Sequence, residues 1–290
     1  MHHISADAAI IRRGLRLGLV VALAVGCGDA IAPFDGVYDF RARFESGDTV
    51  RSAVVHVPPT YDGTRVLPLL LAYHGSGSRG DEMQRETGLD AIADSLGFIV
   101  AYPDGKPNWD VEGTRDTRFT RDLIDHLAER LGIDRDRLYA TGFSAGGSFT
   151  MRLACSEAGR FAAVGIVAST LYPELADGCN PDERISTALV VGTVDLLVPI
   201  DGDSASGRFS ADSTINLYAR RNGCDVSERT VTYEPDVLDD GRRVRRETYA
   251  GCRDGTETIL WVIEVGNHSW YRGDVDTGLL LAEMFLRHRR

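Results

Sequence analysis

The chain has 290 residues, of which 43% are hydrophobic and 26% are charged, so it is long enough to bury a large core and too apolar for a disordered protein. Its 32 basic and 43 acidic residues give a net charge of −11, which excludes a general affinity for the phosphate backbone of nucleic acids. After residue 30, no apolar run approaches the ~20 residues that a membrane-spanning helix needs. These figures favour an acidic globular protein.

The N-terminus has the pattern of an export signal. Arg12, Arg13 and Arg16 precede an apolar stretch, residues 17–26, that is too short to span a bilayer. This stretch runs directly into Cys27, in the sequence Ala-Val-Gly-Cys, which resembles the bacterial lipobox. In a lipobox the cysteine is lipidated and becomes the first residue of the mature protein, so we predict lipidation of Cys27.

Ordinary cleavage after Ala32 is the alternative, and it is disfavoured because Pro33 would follow the cut. We therefore expect a signal peptide over residues 1–26, a short tether over 27–34 and one catalytic domain over 35–290. The predicted location is the bacterial cell envelope or the medium, with membrane contact only through the N-terminal lipid.

The cysteine count also favours export. If Cys27 carries lipid, an even number of cysteines remains, as expected of disulfides in an oxidising compartment. Four cysteines allow three connectivities, and their spacings match no zinc-binding pattern. The four are Cys155, Cys179, Cys224 and Cys252.

Short apolar runs alternate with amphipathic stretches along the rest of the chain. Residues 51–58 alternate between apolar and polar, which is typical of a half-buried antiparallel strand, whereas residues 68–74 are continuously apolar, as in a strand covered on both faces. In chain order, the pattern predicts strands 51–58 and 68–74, helix 89–96, strand 98–102, helix 116–131, strand 137–141, a helix from residue 145, strands 162–168, 188–192 and 258–265, and helix 278–287. This alternation predicts an α/β fold with a mainly parallel twisted sheet and helices on both faces.

A G-x-S-x-G sequence at residues 142–146 joins a predicted strand to a predicted helix of small residues. Such a context is typical of a nucleophile elbow, in which the serine backbone is strained and larger neighbours would clash. Ser144 is therefore the candidate nucleophile. The competing interpretation is a serine that caps the helix beside packing glycines.

A nucleophilic serine needs a base, and only His268 and His288 follow Ser144 in the chain. His288 lies in a basic tail. His268 lies in a loop directly after the predicted strand 258–265, and so beyond a strand end, as Ser144 does. We therefore predict His268 as the base.

The acid is expected between the serine and the histidine in the chain. Asp195 follows the predicted strand 188–192 by a short turn, and there it would hold the tautomer of the catalytic histidine. Other aspartates are weaker candidates because they lie in polar loops or follow no strand. They are Asp177, Asp182, Asp201 and Asp203.

Glycine-rich residues 74–78 follow the strand 68–74. Glycine there lets the backbone approach a developing oxyanion, so the amides of Ser76 and Ala145 are the predicted donors. A phosphate-binding loop is excluded because no G-K-[ST] follows. A glycine-rich turn without function is the remaining alternative.

Six stretches together resemble the esterase family of poly(3-hydroxybutyrate) depolymerases and bacterial feruloyl esterases, within the α/β-hydrolase superfamily. They are PLLLAYHGSGS (68–78), DAIADSLGFIVAYPDG (90–105), GIDRDRLYATGFSAGGSFTMRLAC (132–155), GTVDLLVPIDG (192–202), RRNGC (220–224) and GNHSWY (266–271). The resemblance implies an α/β-hydrolase fold, with Ser144 as nucleophile, Asp195 as acid and His268 as base.

The resemblance also implies the disulfide pairs Cys155–Cys179 and Cys224–Cys252. The chain departs from the family pattern around the histidine, at Asn267, Ser269 and Tyr271, and at residues 116–118. These changes leave the predicted triad intact and would reshape the substrate pocket.

Three aromatic residues, Trp109, Trp270 and Tyr271, are candidates for an aromatic substrate pocket, with packing around the site as the alternative. The sequence as a whole predicts an exported serine carboxylic-ester hydrolase that forms an acyl-enzyme on a small ester or soluble oligomer. It predicts no metal and no organic cofactor. The alternatives are an acyltransferase or peptidase with the same triad, and an inactive lipid-anchored binding protein. The oligomeric state is not indicated.

Overall fold

The computed structural model of the chain describes residues 36–106, 108–177, 179, 183–235, 243–273 and 275–290. The predicted signal peptide and Cys27 lie outside these residues, as does Asp182. The strands are β1 (Asp39–Ser46), β2 (Thr49–His56), β3 (Leu67–Tyr73), β4 (Ile99–Pro103), β5 (Ile133–Phe143), β6 (Ala163–Val167), β7 (Ser186–Gly192), β8 (Asp225–Tyr233), β9 (Val244–Ala250) and β10 (Thr258–Ile263). The helices are α1 (Gly80–Thr87), α2 (Leu89–Leu96), α3 (Arg115–Ala128), α4 (Ala145–Ser156), α5 (Pro173–Asp177), α6 (Ala211–Arg221) and α7 (Thr277–Phe285).

Within the described residues, the strands form one mixed sheet in the order β1-β2-β4-β3-β5-β6-β7-β10-β9-β8. The run from β4 to β10 is parallel, and both flanking pairs of strands are antiparallel. Together with the helices this is an α/β-hydrolase fold, as the sequence predicts. The parallel run matters for function because ligands in such sheets bind beyond the carboxyl ends of the strands.

Helices cover both faces of the sheet, which explains the continuous apolar runs. Every residue of β3, β4, β6, β7 and β10 is buried. Alternate residues of β3 enter two separate cores. One core receives Phe119 of α3 and Phe149 of α4, and the other receives Leu89 of α2 and Phe285 of α7.

Several elements were not predicted from the sequence: β1, β8, β9, α1, α5 and α6. Strand β8 lies at one edge of the sheet, and most of its side chains are exposed or half-buried, so it lacks an apolar signal. The predicted strand 258–265 ends two residues early, at Ile263, because the chain turns there. Among the described residues, no helix combines the length and apolar character that crossing a bilayer requires.

Two disulfides hold segments next to the helices. Cys155, in the last turn of α4, pairs with Cys179, which follows α5. Cys224, just after α6, pairs with Cys252, just after β9. These are the pairs that the family resemblance implies.

Candidate active site

Ser144 occupies a strained turn between β5 and α4, at the carboxyl edge of the sheet. Its backbone has φ = +53° and ψ = −112°, a region that non-glycine residues rarely adopt. The turn is fixed by the backbone N–H of Ser144, which donates to the carbonyl of Val167 at the end of β6 (2.9 Å). A strained serine between a strand and a helix is the geometry of a nucleophile elbow.

The glycines of the G-x-S-x-G sequence are required by close backbone packing. A Cβ on Gly142 would collide with the carbonyl of Gly146, and a Cβ on Gly146 would collide with the carbonyl of Tyr73. The motif therefore brings α4 against β3 and β5 at the point where the helix begins.

Asp195 and His268 come from neighbouring strands and are hydrogen-bonded to each other. Asp195 lies in the turn after β7, and His268 lies in the loop after β10, the strand parallel to β7. The Oδ2 atom of Asp195 is 2.7 Å from Nδ1 of His268, and the carboxylate side chain is only 1% exposed. Its Oδ1 atom accepts the backbone N–H groups of Leu197 and Val198, at 2.9 and 2.8 Å. This carboxylate is therefore fixed in position and would orient the imidazole.

His268 also packs beside the elbow. The ring of Phe143, the residue before Ser144, lies 4.9 Å from the imidazole between centroids. The loop that carries His268 turns at Val265, whose φ of +56° is unusual for a β-branched residue. Among the described residues the hydroxyl of Ser144 has no hydrogen-bond partner. A missing bond of this kind does not argue against a catalytic role, because such bonds often shorten only when substrate binds.

The two predicted oxyanion donors face one cleft, together with Ser144. This cleft has a volume of about 440 Å³, and Ser76, Ser144 and Ala145 all line it. Within the described part of the chain, the backbone N–H groups of Ser76 and Ala145 donate to no acceptor. Two unpaired amides beside a serine hydroxyl can stabilise the charge that develops on an attacked carbonyl oxygen.

Of the three predicted pocket aromatics, Trp109 lines the cleft. Its indole N–H donates to the carbonyl of His74, and its ring stacks on Phe149 at 5.2 Å between centroids. Trp270 and Tyr271 are not part of this lining and pack instead against one of the cores. The hydroxyl of Tyr271 donates to the carbonyl of Asn267 at 2.6 Å.

The loop that carries Trp109 is anchored by a buried ion pair. Asp116, at the start of α3, is fully buried and lies 2.7 Å from the guanidinium of Arg51 on β2. Its other oxygen accepts the backbone N–H of Asp110 at 2.7 Å. Asp116 is the first residue of the segment 116–118, which departs from the family pattern, and its bond to Asp110 holds the loop that carries Trp109.

The cleft also contains polar residues that sequence reasoning missed. Tyr172 follows β6, and its buried hydroxyl has no hydrogen-bond partner among the described residues. Burial raises the pKa of Tyr172, so the hydroxyl stays protonated and can donate. The guanidinium of Arg208 lies 5.8 Å from the Tyr172 ring and donates to the carbonyl of Thr170. Glu112 and Glu174 complete this polar part of the lining.

Two of the competing residues, Asp203 and His288, have their own partners elsewhere. Asp203 accepts the backbone N–H groups of Ala205 and Ser206. Hydrogen bonds lower the pKa of Asp203, and the bond from the Ser206 side chain has the largest effect. His288 lies 2.9 Å from the carboxylate of Glu257. Neither contacts Asp195 or His268 among the bonds of the described residues.

One side-chain group in the described residues has ligand types and spacing that suit a metal ion. It consists of Asp39, His56 and Asp90, whose ligand atoms lie within 4.8 Å of one another. Both ring nitrogens of His56 are already hydrogen-bonded to carboxylates, those of Asp39 (2.7 Å) and Asp94 (2.8 Å). This arrangement suits a protonated imidazole.

Comparisons with known proteins identify the family of this chain. The model of the Esterase family, described as "Putative esterase", matches residues 46–222. The chain is 31% identical over 229 residues to "Putative esterase NocK" of Nocardia uniformis subsp. tsuyamanensis, covering 71% of this chain and 66% of that protein. It is 30% identical over 256 residues to feruloyl esterase B of Piromyces equi, covering 81% of this chain and 45% of that protein. The chain thus spans two thirds or less of these relatives.

Among solved structures, an acetyl xylan esterase from Aspergillus awamori superimposes with a TM-score of 0.63. The alignment covers 85% of this chain and 98% of that chain at 15% identity. At this identity the likeness shows the shared fold.

Proposed function

The chain belongs to the esterase family, within the α/β-hydrolase superfamily, and on that premise we propose that it is a serine carboxylic-ester hydrolase that forms an acyl-enzyme. The hydrogen bond between Asp195 and His268, beside the strained elbow of Ser144, is the observation that carries the proposal. Within the proposed mechanism, Ser144 is the nucleophile, His268 the base and Asp195 the acid.

In the acylation step, the hydroxyl oxygen of Ser144 attacks the ester carbonyl while Nε2 of His268 takes the hydroxyl proton. The carbonyl oxygen becomes an oxyanion and accepts hydrogen bonds from the amides of Ser76 and Ala145. The carboxylate of Asp195 stabilises the imidazolium that forms. His268 then passes its proton to the departing alcohol as the carbon–oxygen bond breaks.

In the deacylation step, a water molecule takes the place of the alcohol. His268 removes a proton from the water as its oxygen attacks the acyl carbon, and the same two amides stabilise the second oxyanion. Collapse of this intermediate returns the proton to Ser144 and releases the carboxylic acid.

For the substrate, we propose a small ester or a soluble oligomer. The cleft of about 440 Å³ combines an aromatic wall, Trp109, with polar groups that include Tyr172 and Arg208. Relatives named feruloyl esterase and acetyl xylan esterase make aromatic and acetyl esters the first compounds to test. A film of an aliphatic polyester is expected to be turned over more slowly than its soluble oligomers.

We also propose that the protein is exported and lipid-anchored through Cys27. The two disulfides support export because such bonds persist in oxidising compartments. Intact mass spectrometry of the exported protein should show a diacylglycerol adduct on Cys27. A soluble product that begins near Pro33 would overturn the anchor and leave export standing.

The function is tested by hydrolysis of p-nitrophenyl acetate with Ser144→Ala and with Ser156→Ala as the matched control. Ser156 is the last residue of α4, the helix that follows Ser144, and it is exposed. We expect Ser144→Ala to lose hydrolysis and labelling by a fluorophosphonate, while Ser156→Ala keeps both. Substantial activity in Ser144→Ala would refute the assignment. Addition of alcohol acceptors separates hydrolysis from acyl transfer, because a transferase would form a new ester instead of the acid.

A further inference from the structure

His74 is a buried histidine beside the cleft, and the mechanism proposed above does not use it. It follows the last residue of β3 and is 1% exposed. Its carbonyl accepts the indole N–H of Trp109 at 2.8 Å, and the two rings lie 4.8 Å apart between centroids. The residue thus connects the oxyanion loop, residues 74–78, to the wall of the cleft.

The contacts of the imidazole admit one neutral tautomer. The backbone N–H of Gly105 points at Nε2 at 2.9 Å, so Nε2 must carry a lone pair. The proton of a neutral ring then lies on Nδ1, which is 2.7 Å from the carbonyl oxygen of Gly75 and donates to it. If the proton were on Nε2 instead, that N–H would point at the N–H of Gly105. The lone pair on Nδ1 would then face the carbonyl oxygen of Gly75.

The surroundings favour the neutral ring. Burial lowers the pKa of His74, and it outweighs the opposing effects of the Gly75 hydrogen bond and of the facing carboxylates. Those carboxylates are Asp104 after β4, Glu82 on α1 and Asp116 on α3. The imidazole is therefore uncharged under ordinary conditions and keeps Nε2 free to accept.

The direction of the Gly75 carbonyl decides the direction of the next amide. A peptide bond is planar and trans, so the N–H of Ser76 points opposite to the C=O of Gly75. That carbonyl is held by His74 and, more weakly, by the backbone N–H of Ser78 at 3.3 Å. With the carbonyl bound in this way, the Ser76 amide points in the opposite direction. Ser76 lines the cleft, and among the described residues its N–H has no acceptor.

We propose that His74 is a positioning residue for the oxyanion: its Nδ1–H holds the Gly75 carbonyl so that the Ser76 amide faces the substrate. This role rests on the proposed ester hydrolysis. An oxyanion donor contributes about 10²–10³-fold to kcat, so a misdirected amide is expected to cost about 10–100-fold while KM changes little.

Two isosteric variants separate the two hydrogen bonds. In His74→Asn the side-chain amide lies near the position of Nδ1 and can still donate to Gly75. In His74→Gln the amide oxygen reaches the position of Nε2 and can still accept from Gly105. We expect the asparagine variant to retain most of kcat and the glutamine variant to lose about 10–100-fold, although both are less stable in urea than the parent protein.

A purely structural role predicts a different pattern. In that case kcat would fall in both variants in proportion to their loss of stability, or KM would rise as kcat falls. Either result, or equal kcat in the glutamine variant and the parent protein, would overturn the role of His74 and leave ester hydrolysis standing. Failure of the parent protein to hydrolyse any ester would overturn both proposals.

The tautomer can be measured without any activity. Long-range ¹H–¹⁵N NMR spectra of the ¹⁵N-histidine-labelled full chain distinguish a protonated from an unprotonated ring nitrogen. We expect Nδ1 of His74 to be protonated and Nε2 to be unprotonated at neutral pH. A proton on Nε2 would contradict the proposal even if neither variant folded.

Discussion

The backbone N–H of Val265 donates to the side-chain hydroxyl of Thr193 at 2.9 Å. Thr193 follows β7 and Val265 follows β10, so this bond joins the loop that carries Asp195 to the loop that carries His268. A second bond, from the N–H of Val194 to the carbonyl of Gly266 (2.8 Å), lies next to it. The relative position of the two proposed catalytic side chains is therefore set by their backbones as well as by their own hydrogen bond.

Thr193→Val removes this hydroxyl at nearly constant shape. We expect kcat to fall about fivefold, since one hydrogen bond contributes about 1 kcal/mol and its loss loosens both loops. Steady-state hydrolysis of a soluble ester measures the effect. Thr230→Val on β8 is the control, because Thr230 is exposed on a strand at the edge of the sheet. Equal losses in the two variants would show that the bond has no particular role.

Val265→Asn should raise the stability of the protein. Val265 holds φ = +56° while its side chain is 73% exposed, so the residue carries strain with little packing to offset it. Asparagine tolerates this conformation, and relief of the strain is expected to add about 1 kcal/mol to the free energy of unfolding. Urea denaturation measures the change. A decrease in stability would show that the valine side chain makes contacts worth more than the strain.

Asp195→Asn should reduce kcat by about 10³–10⁴-fold without unfolding the protein, because the amide stabilises the wrong tautomer of His268. The loss should not add to that of His268→Ala, since residues of one catalytic unit act together. Asp201→Asn is the matched control, six residues further along the chain and exposed. The assignment of the acid would be wrong if Asp201→Asn were the more damaging change.

Loss of the disulfide Cys155–Cys179 should lower the free energy of unfolding by about 3 kcal/mol, as the chain-entropy model gives for a loop of this length. The bridge joins positions 24 apart in the chain and holds the end of α4, the helix that directly follows Ser144. The double variant with serine at both positions, compared with the parent protein in urea, measures the effect. Peptide mapping under non-reducing conditions should recover Cys155–Cys179 and Cys224–Cys252. Crossed pairs would contradict the prediction.

His56 should make stability depend on pH above pH 6.5. Burial lowers the pKa of His56, but hydrogen bonds to Asp39 and Asp94 and the charge of Asp90 outweigh it, so the pKa is raised from 6.5. A raised pKa in the folded state means that this contribution is complete below pH 6.5 and is lost as the pH rises through the raised value.

Urea denaturation between pH 6 and pH 9 should therefore show a decline in stability that His56→Gln flattens. The variant is less stable at pH 6 and approaches the parent protein at the alkaline end. A parallel pH profile in both proteins would show that His56 does not titrate in this range.

The sequence predicts structure best for strands that are buried on both faces and for motifs that involve only neighbouring residues. Continuous apolar runs mark strands β3 and β4, so their predicted bounds differ from the observed ones by only one residue at each end. The elbow at Ser144 needs only the residues around it, so its φ of +53° follows from the motif. Strand β9, by contrast, carries two arginines and a glutamate and offers no apolar run.

The sequence of helix α6 carries two local signals of a helix. Ser210 caps the helix by accepting the backbone N–H of Ser213, and Ile215 and Tyr218 form a buried stripe. The residues that meet across loops could not be predicted in the same way. Tyr172 and Arg208 are 36 positions apart, and only the completed fold brings the guanidinium near the ring.

The order of strands in the sheet has a consequence for the time at which activity appears during folding. Asp195 and His268 are separated by 73 positions, and their strands become neighbours only when β10 inserts between β7 and β9. Pairings between such distant segments form late, because the chain must close a long loop before any contact compensates for the lost entropy. Recovery of the proposed ester hydrolysis after dilution from urea should therefore lag behind the recovery of helical circular dichroism. Turnover would then report the last step of sheet assembly.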